Sequence, residues 1–447
     1  MSNSRSSLLP SSPPSTTSSS SAASSDSDES PPSRPSSAAD ECRHFKNHPR
    51  PPPPAEPPSL SSYKCLAVLS GHAGSVSCIS LCGEFILSAS QGKDITVWQQ
   101  PDLRPFARFG QGDGSVKAVL TVGNRVFTAH QDSRIRVWKV SSSSSSSPSS
   151  ESGKEEENAF RLVNSLPTRK DYLGRFLKQS NYVQTRRHHK KLWIEHADSI
   201  SCLAAHNGFL FSGSWDKTLK VWRVSDLKCL ESIMAHDDAI NALQVASDGT
   251  LYSASADGKI KSWRREGAKH ALNGVLEGHK DVSLNAMVVV SGGGFVYGAG
   301  SDGYVIGWGQ NSHNNSNKKR VVCEVKAHEM SVLSLCVMGG FLCSGSADRS
   351  IGIWKVGGDG GLFRVGIIKG HEGGVRCLQA SPVCVGGGFM LYSGSLDRTL
   401  RVWWVPNYCP SGGFTQKVCV SQSVDSHNPI QKKNYCPWKI FDAVEST

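Results

Sequence analysis

The chain has 447 residues, 49 Lys and Arg against 38 Asp and Glu, a formal net charge of +11, 43 glycines and only 8% aromatic residues. That length fits two or three domains, or one large repeat array with tails. No apolar run approaches the ~18 residues that a membrane-spanning helix needs; the longest near the middle, residues 286–290, is five long, which excludes a transmembrane protein.

Beyond Leu8 and Leu9 the N-terminus has no apolar stretch, so no secretory signal and a reducing compartment are expected. The fourteen cysteines include no C-x-x-C, so neither a zinc knuckle nor a redox pair is expected, and no metal or cofactor. Cys78, Cys202, Cys336 and Cys377 follow histidines inside apolar segments and read as small core residues.

Residues 1–62 hold 34 Ser and Pro and cannot bury enough apolar area to offset their ordering entropy, so they read as a disordered tail. A transit peptide is the competing reading, without an amphipathic stretch to support it. From residue 63 the composition changes.

Seven eleven-residue segments then end in tryptophan: SASQGKDITVW at 88–98, TAHQDSRIRVW at 128–138, SGSWDKTLKVW at 212–222, SASADGKIKSW at 253–263, GAGSDGYVIGW at 298–308, SGSADRSIGIW at 344–354 and SGSLDRTLRVW at 393–403. Six carry an aspartate six residues before Trp138, Trp222, Trp263, Trp308, Trp354 and Trp403, namely Asp132, Asp216, Asp257, Asp302, Asp348 and Asp397; the segment ending at Trp98 does not. Upstream, His72, His196, His236, His279, His328 and His371 each precede a short apolar run.

Within each unit apolar and polar residues alternate with period two, bounded by Gly, Asp and Ser turns. Each unit therefore predicts a small antiparallel sheet of about 40 residues that cannot bury both faces alone. Seven packed radially can, which predicts an all-β, seven-bladed propeller over 63–405. The polar marks have a structural use. The histidine can bond the aspartate of a later turn. The Ser or Thr four residues before that aspartate (Ser88, Thr128, Ser212, Ser253, Ser344, Ser393) can accept the indole N–H. These sets read as staples, not catalytic dyads.

The distance between successive tryptophans is 40, 84, 41, 45, 46 and 49 residues. No His–Asp–Trp set lies inside the gap of 84, so it predicts an insertion at about 141–191 in the second blade. The insertion is expected to leave after that blade's third strand and to return as its fourth near Leu192, Trp193 and Ile194, on the face opposite the His and Asp turns. Its second half, 161–192, holds nine Lys and Arg and one acid. A short basic amphipathic helix is expected over 167–178, interrupted by Gly174, followed by a basic run with Arg186, Arg187, Lys190 and Lys191. That run reads as a solvated loop, as a nuclear-localisation patch for an import receptor or dock for an acidic partner, or as a nucleic-acid contact. The last lacks a groove-entering helix and stacked aromatics. Residues 406–447 lose the repeat and read as a flexible tail.

The seven segments resemble the WD40 repeat, and the resemblance over 63–405 implies a seven-bladed propeller closed by residues 65–69 joining the blade that ends at Trp403. This sequence departs from the pattern at Gly92, where the first Asp belongs, at Gly112, where the second His belongs, and at Gly298, where the fifth Ser belongs, so those blades are expected to be looser. The insertion, with Asn164-Ser-Leu-Pro-Thr, Asn181-Tyr-Val and Leu192-Trp-Ile, is similar to the plant JINGUBANG-like subfamily. That likeness implies a regulator of growth, pollen germination included, acting through transcription factors in cytoplasm and nucleus.

The family pattern further implies that partners meet the residue before each Asp (Gln131, Trp215, Ala256, Ala347, Leu396) and the start of each first strand (Ser77, Lys117, Ser201, Asn241, Arg376). Lys117 and Arg376 favour an acidic or phosphorylated segment. Trp215 reads either as an exposed anchor or as packing against a neighbouring blade.

There is no G-x-S-x-G, no G-x-x-x-x-G-K-[ST] and no H-E-x-x-H. The expected function is therefore a non-enzymatic scaffold that binds proteins. A substrate receptor of a cullin ubiquitin ligase is the alternative, although the Trp-Asp-x-Arg of such receptors is absent. A hydrolytic propeller is the third reading.

Overall fold

The computed structural model describes residues 63–110, 114–141, 159–173, 175, 178–186, 189–290, 294–310 and 319–407. The expected tail at 1–62, nearly all of the one at 406–447, and the serine-rich linker lie outside these residues, as does Gly112.

Seven four-stranded antiparallel sheets follow one another along the chain. Six are built from consecutive strands, innermost first. The seventh takes Val375–Val385, Gly388–Ser395 and Leu400–Pro406 and is completed by Lys64–Leu69 from the start of the described chain, with Cys65 opposite Trp403 and Leu69 opposite Leu400. The two ends of the propeller thus share a blade.

Closure is also visible in the packing. Seven apolar clusters fill the seven gaps between adjacent blades. One joins Ile86 and Trp98 of blade 1 to Tyr392 and Val402 of blade 7, so the ring has no open gap. The next joins Leu87 and Val97 of blade 1 to Val116 and Trp138 of blade 2.

The middle strands of a blade are covered on both faces, which explains their near-continuous apolar or small-residue character; every residue of Phe341–Ser346 is buried. The outermost strands have one wet face, as in Leu362–Ile368, where Phe363 and Arg364 are exposed and Ile368 is buried.

The second blade corrects the expected path of the insertion. Its fourth strand is Phe160–Leu166, with Phe160 opposite Val140 and Leu166 opposite Ile135. The chain therefore crosses twice. The serine linker departs beyond Val140. The basic segment then leaves Leu166 and enters the first strand of blade 3, Ile200–His206, on the same face as the His and Asp turns, not the opposite one.

The expected helix is a single turn, Arg169–Tyr172, started by a capping box between Thr168 and Asp171. Leu173 is 80% exposed rather than packed, and Gly174, Phe176 and Leu177 lie outside the described residues. A two-stranded hairpin, Tyr182–Arg186 with His189–Leu192, follows. Leu192 and Ile194, expected as strand residues of blade 2, are instead buried plugs in the gap between blades 2 and 3, packed in the cluster that holds Phe127, Leu210 and Trp222. The buried Lys220 locks this segment down by donating to Trp193 O and Ser232 Oγ, both at 2.6 Å.

Candidate functional site

The turn between second and third strands fixes one rim of the propeller. In blade 3 the residue after Asp216 is Lys217 at φ 71°, a left-handed conformation that costs a side-chain-bearing residue about 1–2 kcal/mol. Asp216 offsets that cost. Its Oδ1 accepts Thr218 N at 2.9 Å across the turn, and its Oδ2 accepts Ala197 N at 2.7 Å and faces His196 Nδ1 at 3.0 Å. His196 Nε2 lies 2.8 Å from Ser212 Oγ, which also accepts the Trp222 indole N–H at 2.9 Å.

The bonds run one way: indole N–H to hydroxyl, hydroxyl to Nε2, Nδ1–H to carboxylate. That chain fits a neutral imidazole protonated at Nδ1. Burial pushes the His196 pKa down. Burial alone would raise Asp216, but bonds from His196, Thr218 and Ala197 N hold it well below the usual carboxylate range.

The same four-part chain joins His236, Ser253, Asp257 and Trp263, with distances of 2.8–2.9 Å. It recurs in His328, Ser344, Asp348 and Trp354 at 2.8–2.9 Å. It recurs again in His371, Ser393, Asp397 and Trp403, at 2.7 Å throughout.

The other three blades each lose one part. In blade 1, His72 bonds Ser88, which accepts from Trp98, but Gly92 supplies no carboxylate. In blade 2 the structure shows a substitute that the sequence reading missed. His130, inside the second strand, reaches Thr128 Oγ1 with Nε2 at 2.8 Å, and Thr128 accepts from Trp138 at 3.0 Å. Asp132 is left to pair with Arg136.

In blade 5, Gly298 leaves no hydroxyl. His279 instead lies between Asp302 Oδ2 at 2.5 Å and Glu324 Oε1 at 3.0 Å. Two acceptors require two N–H donors, so the imidazolium is favoured, and the hydrogen bond to Asp302 raises the pKa of His279 against the effect of burial.

Inside this rim lies the axial mouth. In all seven blades the first strand carries a β-bulge at its second residue: Ser77, Lys117, Ser201, Asn241, Asn285, Leu333 and Arg376. A bulge frees a residue from the ladder and re-aims its side chain. These seven side chains, with Trp215, line a cavity of about 240 Å³. Five of the seven are the first-strand positions expected from the sequence. Asn285 and Leu333 are not among those.

Four of them also tie blade to blade. Ser77 donates to Val116 O at 2.8 Å, Asn241 to Leu284 O at 2.9 Å and Asn285 to Val332 O at 3.0 Å, and Ser201 donates to Ile240 O. Lys117, Leu333 and Arg376 make no such tie. The ammonium of Lys117 lies 5.3 Å over the ring of Trp215, itself 41% exposed. The Trp215 ring is thus exposed and covered on one face by Lys117, while its backbone N–H donates to Ser199 O at 3.0 Å. Burial, then the nearby Arg376 guanidinium, pushes the Lys117 pKa down. Neither Lys117 nor Arg376 has a carboxylate partner among the described residues.

On the rim, Gln131 is exposed and accepts from Ser115 at 3.1 Å, and Leu396 is 46% exposed. Of the basic run, Lys190 is exposed and Lys191 donates to His196 O at 3.2 Å. The Arg186 backbone lies in the hairpin, and Arg187 lies outside the described residues. Among the described residues no cluster of three His, Cys, Asp or Glu could hold a metal ion, and no helix is long and apolar enough to cross a membrane.

The family model described as "WD domain, G-beta repeat" matches residues 63–99, 187–223, 227–264, 319–355 and 363–403. The repeats ending at Trp138 and Trp308 fall outside these matches; they are two of the three with altered staples. The chain is similar to the ribosome biogenesis protein WDR12 homolog of Nematostella vectensis, 28% identical over 52% of this chain and 50% of that protein. It is also similar to an uncharacterized WD repeat-containing protein of Schizosaccharomyces pombe, 34% identical over 43% of this chain and 40% of that one. A third likeness is to DDB1- and CUL4-associated factor 13 of Mus musculus, 32% identical over 16% of this chain and 17% of that protein. The chain therefore matches half or less of the length of these relatives. Sheet order, closure and the five matched segments agree: the chain is a seven-bladed β-propeller, five of whose repeats match the WD40 model.

Proposed function

We propose that this propeller is a non-enzymatic scaffold that binds segments of other proteins at its axial mouth, with acidic or phosphorylated segments favoured. One observation carries the reading. Of seven bulged residues around the axis, four are spent on tying blades together, while Lys117 lies over the exposed Trp215, Arg376 lines the same cavity, and neither cation has a carboxylate partner among the described residues. Arg and Trp are the side chains most enriched among interface anchors.

The test compares partners co-purified with wild type and with the double variant Trp215→Ala/Arg376→Glu. Loss of specific partners is expected, and an identical set would remove the mouth from the reading. The likeness of the insertion to the JINGUBANG-like subfamily extends the proposal to transcription factors as partners, to plant growth control, and to residence in cytoplasm and nucleus. In that setting the basic run serves as the import patch. Replacing Arg186, Arg187, Lys190 and Lys191 with Gln is expected to reduce the nuclear signal, and an unaltered distribution refutes that role.

The local likeness to a CUL4-associated factor favours a second reading, a substrate receptor of a cullin ligase. Co-purification of a cullin adaptor supports it, and absence of the adaptor retires it.

A further inference from the structure

The axial mouth is chemically two-sided. Around the ring, Arg376 belongs to blade 7 and Lys117 to blade 2, with only Ser77 of blade 1 between them. Across the cavity stand Asn241 and Asn285 of blades 4 and 5. Each amide donates Nδ2–H to a backbone carbonyl of the next blade, at 2.9 and 3.0 Å. A carbonyl can only accept, so this fixes the flip of both amides; the Oδ1 of Asn241 remains an acceptor, and that of Asn285 accepts from Ser283 Oγ at 3.5 Å. One wall thus carries two cations and the opposite wall carries acceptors.

Of the two rim loops on this wall, the one leading into Asn241 is acidic, whereas the one leading into Asn285 carries Lys280 beside Asp281, both exposed. Asp237 and Asp238 are adjacent and exposed, and neither carboxylate forms an ion pair among the described residues. Lys217 Nζ donates to the backbone carbonyl of Asp237 at 2.6 Å and not to either carboxylate. Glu372, on the loop leading into Arg376, makes no ion pair with it.

We infer that the mouth selects a dipolar peptide: an anionic side chain seated between Lys117 and Arg376, and a basic side chain a few residues away seated against Asn241, Asp237 and Asp238. A purely acidic segment meets acceptors and carboxylates on the far wall and gains nothing there, because like charges across an interface are penalised. The inference rests on the axial mouth being a peptide site, and adds which peptides and in which orientation.

The test is selection of a random displayed peptide library on the full-length protein, followed by affinity measurement of the enriched peptides and of copies carrying Glu or phosphoserine at the anionic position. Enrichment of an acidic residue paired with Lys or Arg is expected. Lys117→Gln/Arg376→Gln should weaken binding about tenfold or more and erase the acidic preference alone. Asp237→Asn/Asp238→Asn, confined to exposed residues, should erase the basic preference alone. Phosphoserine binding more tightly than Glu would assign the anion to phosphate, and equal or tighter Glu binding would assign it to carboxylate. Enriched peptides without a basic residue, or insensitive to Asp237 and Asp238, overturn the two-sided reading while leaving peptide binding intact. No enrichment over bare support overturns both.

Discussion

Ser212→Ala isolates the worth of one rim staple. Ser212 is fully buried, and its hydroxyl is the joint of a chain whose other members, Trp222 and His196, are each 1% exposed. Removing the oxygen leaves the Trp222 N–H without an acceptor and His196 Nε2 without a donor, in a site that admits no replacement water without disturbing the packing. A buried polar group left unsatisfied costs about 1–3 kcal/mol. Two such groups, less the small gain from burying a methyl in place of a hydroxyl, give an expected loss of about 2–5 kcal/mol. The assay is denaturant unfolding followed by tryptophan fluorescence, with amide exchange on the strand Phe209–Ser214 to place the loss in blade 3. Ser225→Ala, at an exposed turn of the same blade, is the control. A change below about 0.5 kcal/mol would refute the argument, because the indole would then need no acceptor and the repeated Ser and Trp would owe their spacing to something else.

Deleting residues 63–70 removes Lys64–Leu69 and the pairing that closes blade 7, so the whole ring should lose stability, whereas deleting 1–58 should not; equal melting temperatures for the two truncations contradict the closure argument. Acid should unfold the propeller early. Burial pushes the pKa values of His72 and His130 down to about 4, so the unfolded chain binds more protons between that value and the ordinary histidine value. Stability is whole above pH ~6.5 and falls as pH drops toward 4, by about 3 kcal/mol per group; a flat unfolding free energy from pH 7 to 5 contradicts this. His279 has the opposite sign. Its pKa is raised, so its contribution is full below the ordinary histidine value and is lost as pH rises through the folded value; Glu324→Gln should shrink that loss, as amide exchange in Tyr304–Gly309 measured across the pH range can show. Lys117→Ser places a hydroxyl where Ser77 and Ser201 tie blades together, and should gain about 0.5–1.5 kcal/mol while weakening binding of an acidic peptide; unchanged binding with unchanged stability counts against both roles.

Most of the fold was legible because it is written in side chains with strong, specific demands. An indole that must be buried and bonded, and a turn that needs an Asx bond across a left-handed residue, recur at fixed spacing. Ring closure follows from that count. The misreadings occur where chemistry is weakly marked. Phe160–Leu166 was missed as the fourth strand because FRLVNSL buries only its two ends fully and carries Asn and Ser between them. Leu192 ends a hairpin strand outside the blades and Ile194 follows it as a plug, since an apolar run does not by itself say which sheet it joins. His130 escaped notice because it does from within a strand what the others do from a preceding turn. Asn285 and Leu333 belong to the axial ring only through a bulge, and a one-residue offset in pairing leaves no trace in composition.

The division of labour around the axis has a consequence for how such a surface can change. The rim staples and the apolar gaps between blades hold the ring without help from Lys117, Leu333 and Arg376, and the blade 6–7 and 7–1 gaps next to two of these positions are bridged by their neighbours instead, Ser334 donating to Val375 O at 3.4 Å and Cys377 facing Val76 O at 3.9 Å. A position relieved of structural duty by the residue beside it can vary in charge and shape at little cost in stability. The same relief is absent at Asn241 and Asn285, where one amide both ties the blades and faces the cavity. Recognition on the cationic wall is therefore free to vary alone, whereas any change on the amide wall alters the blade contacts as well.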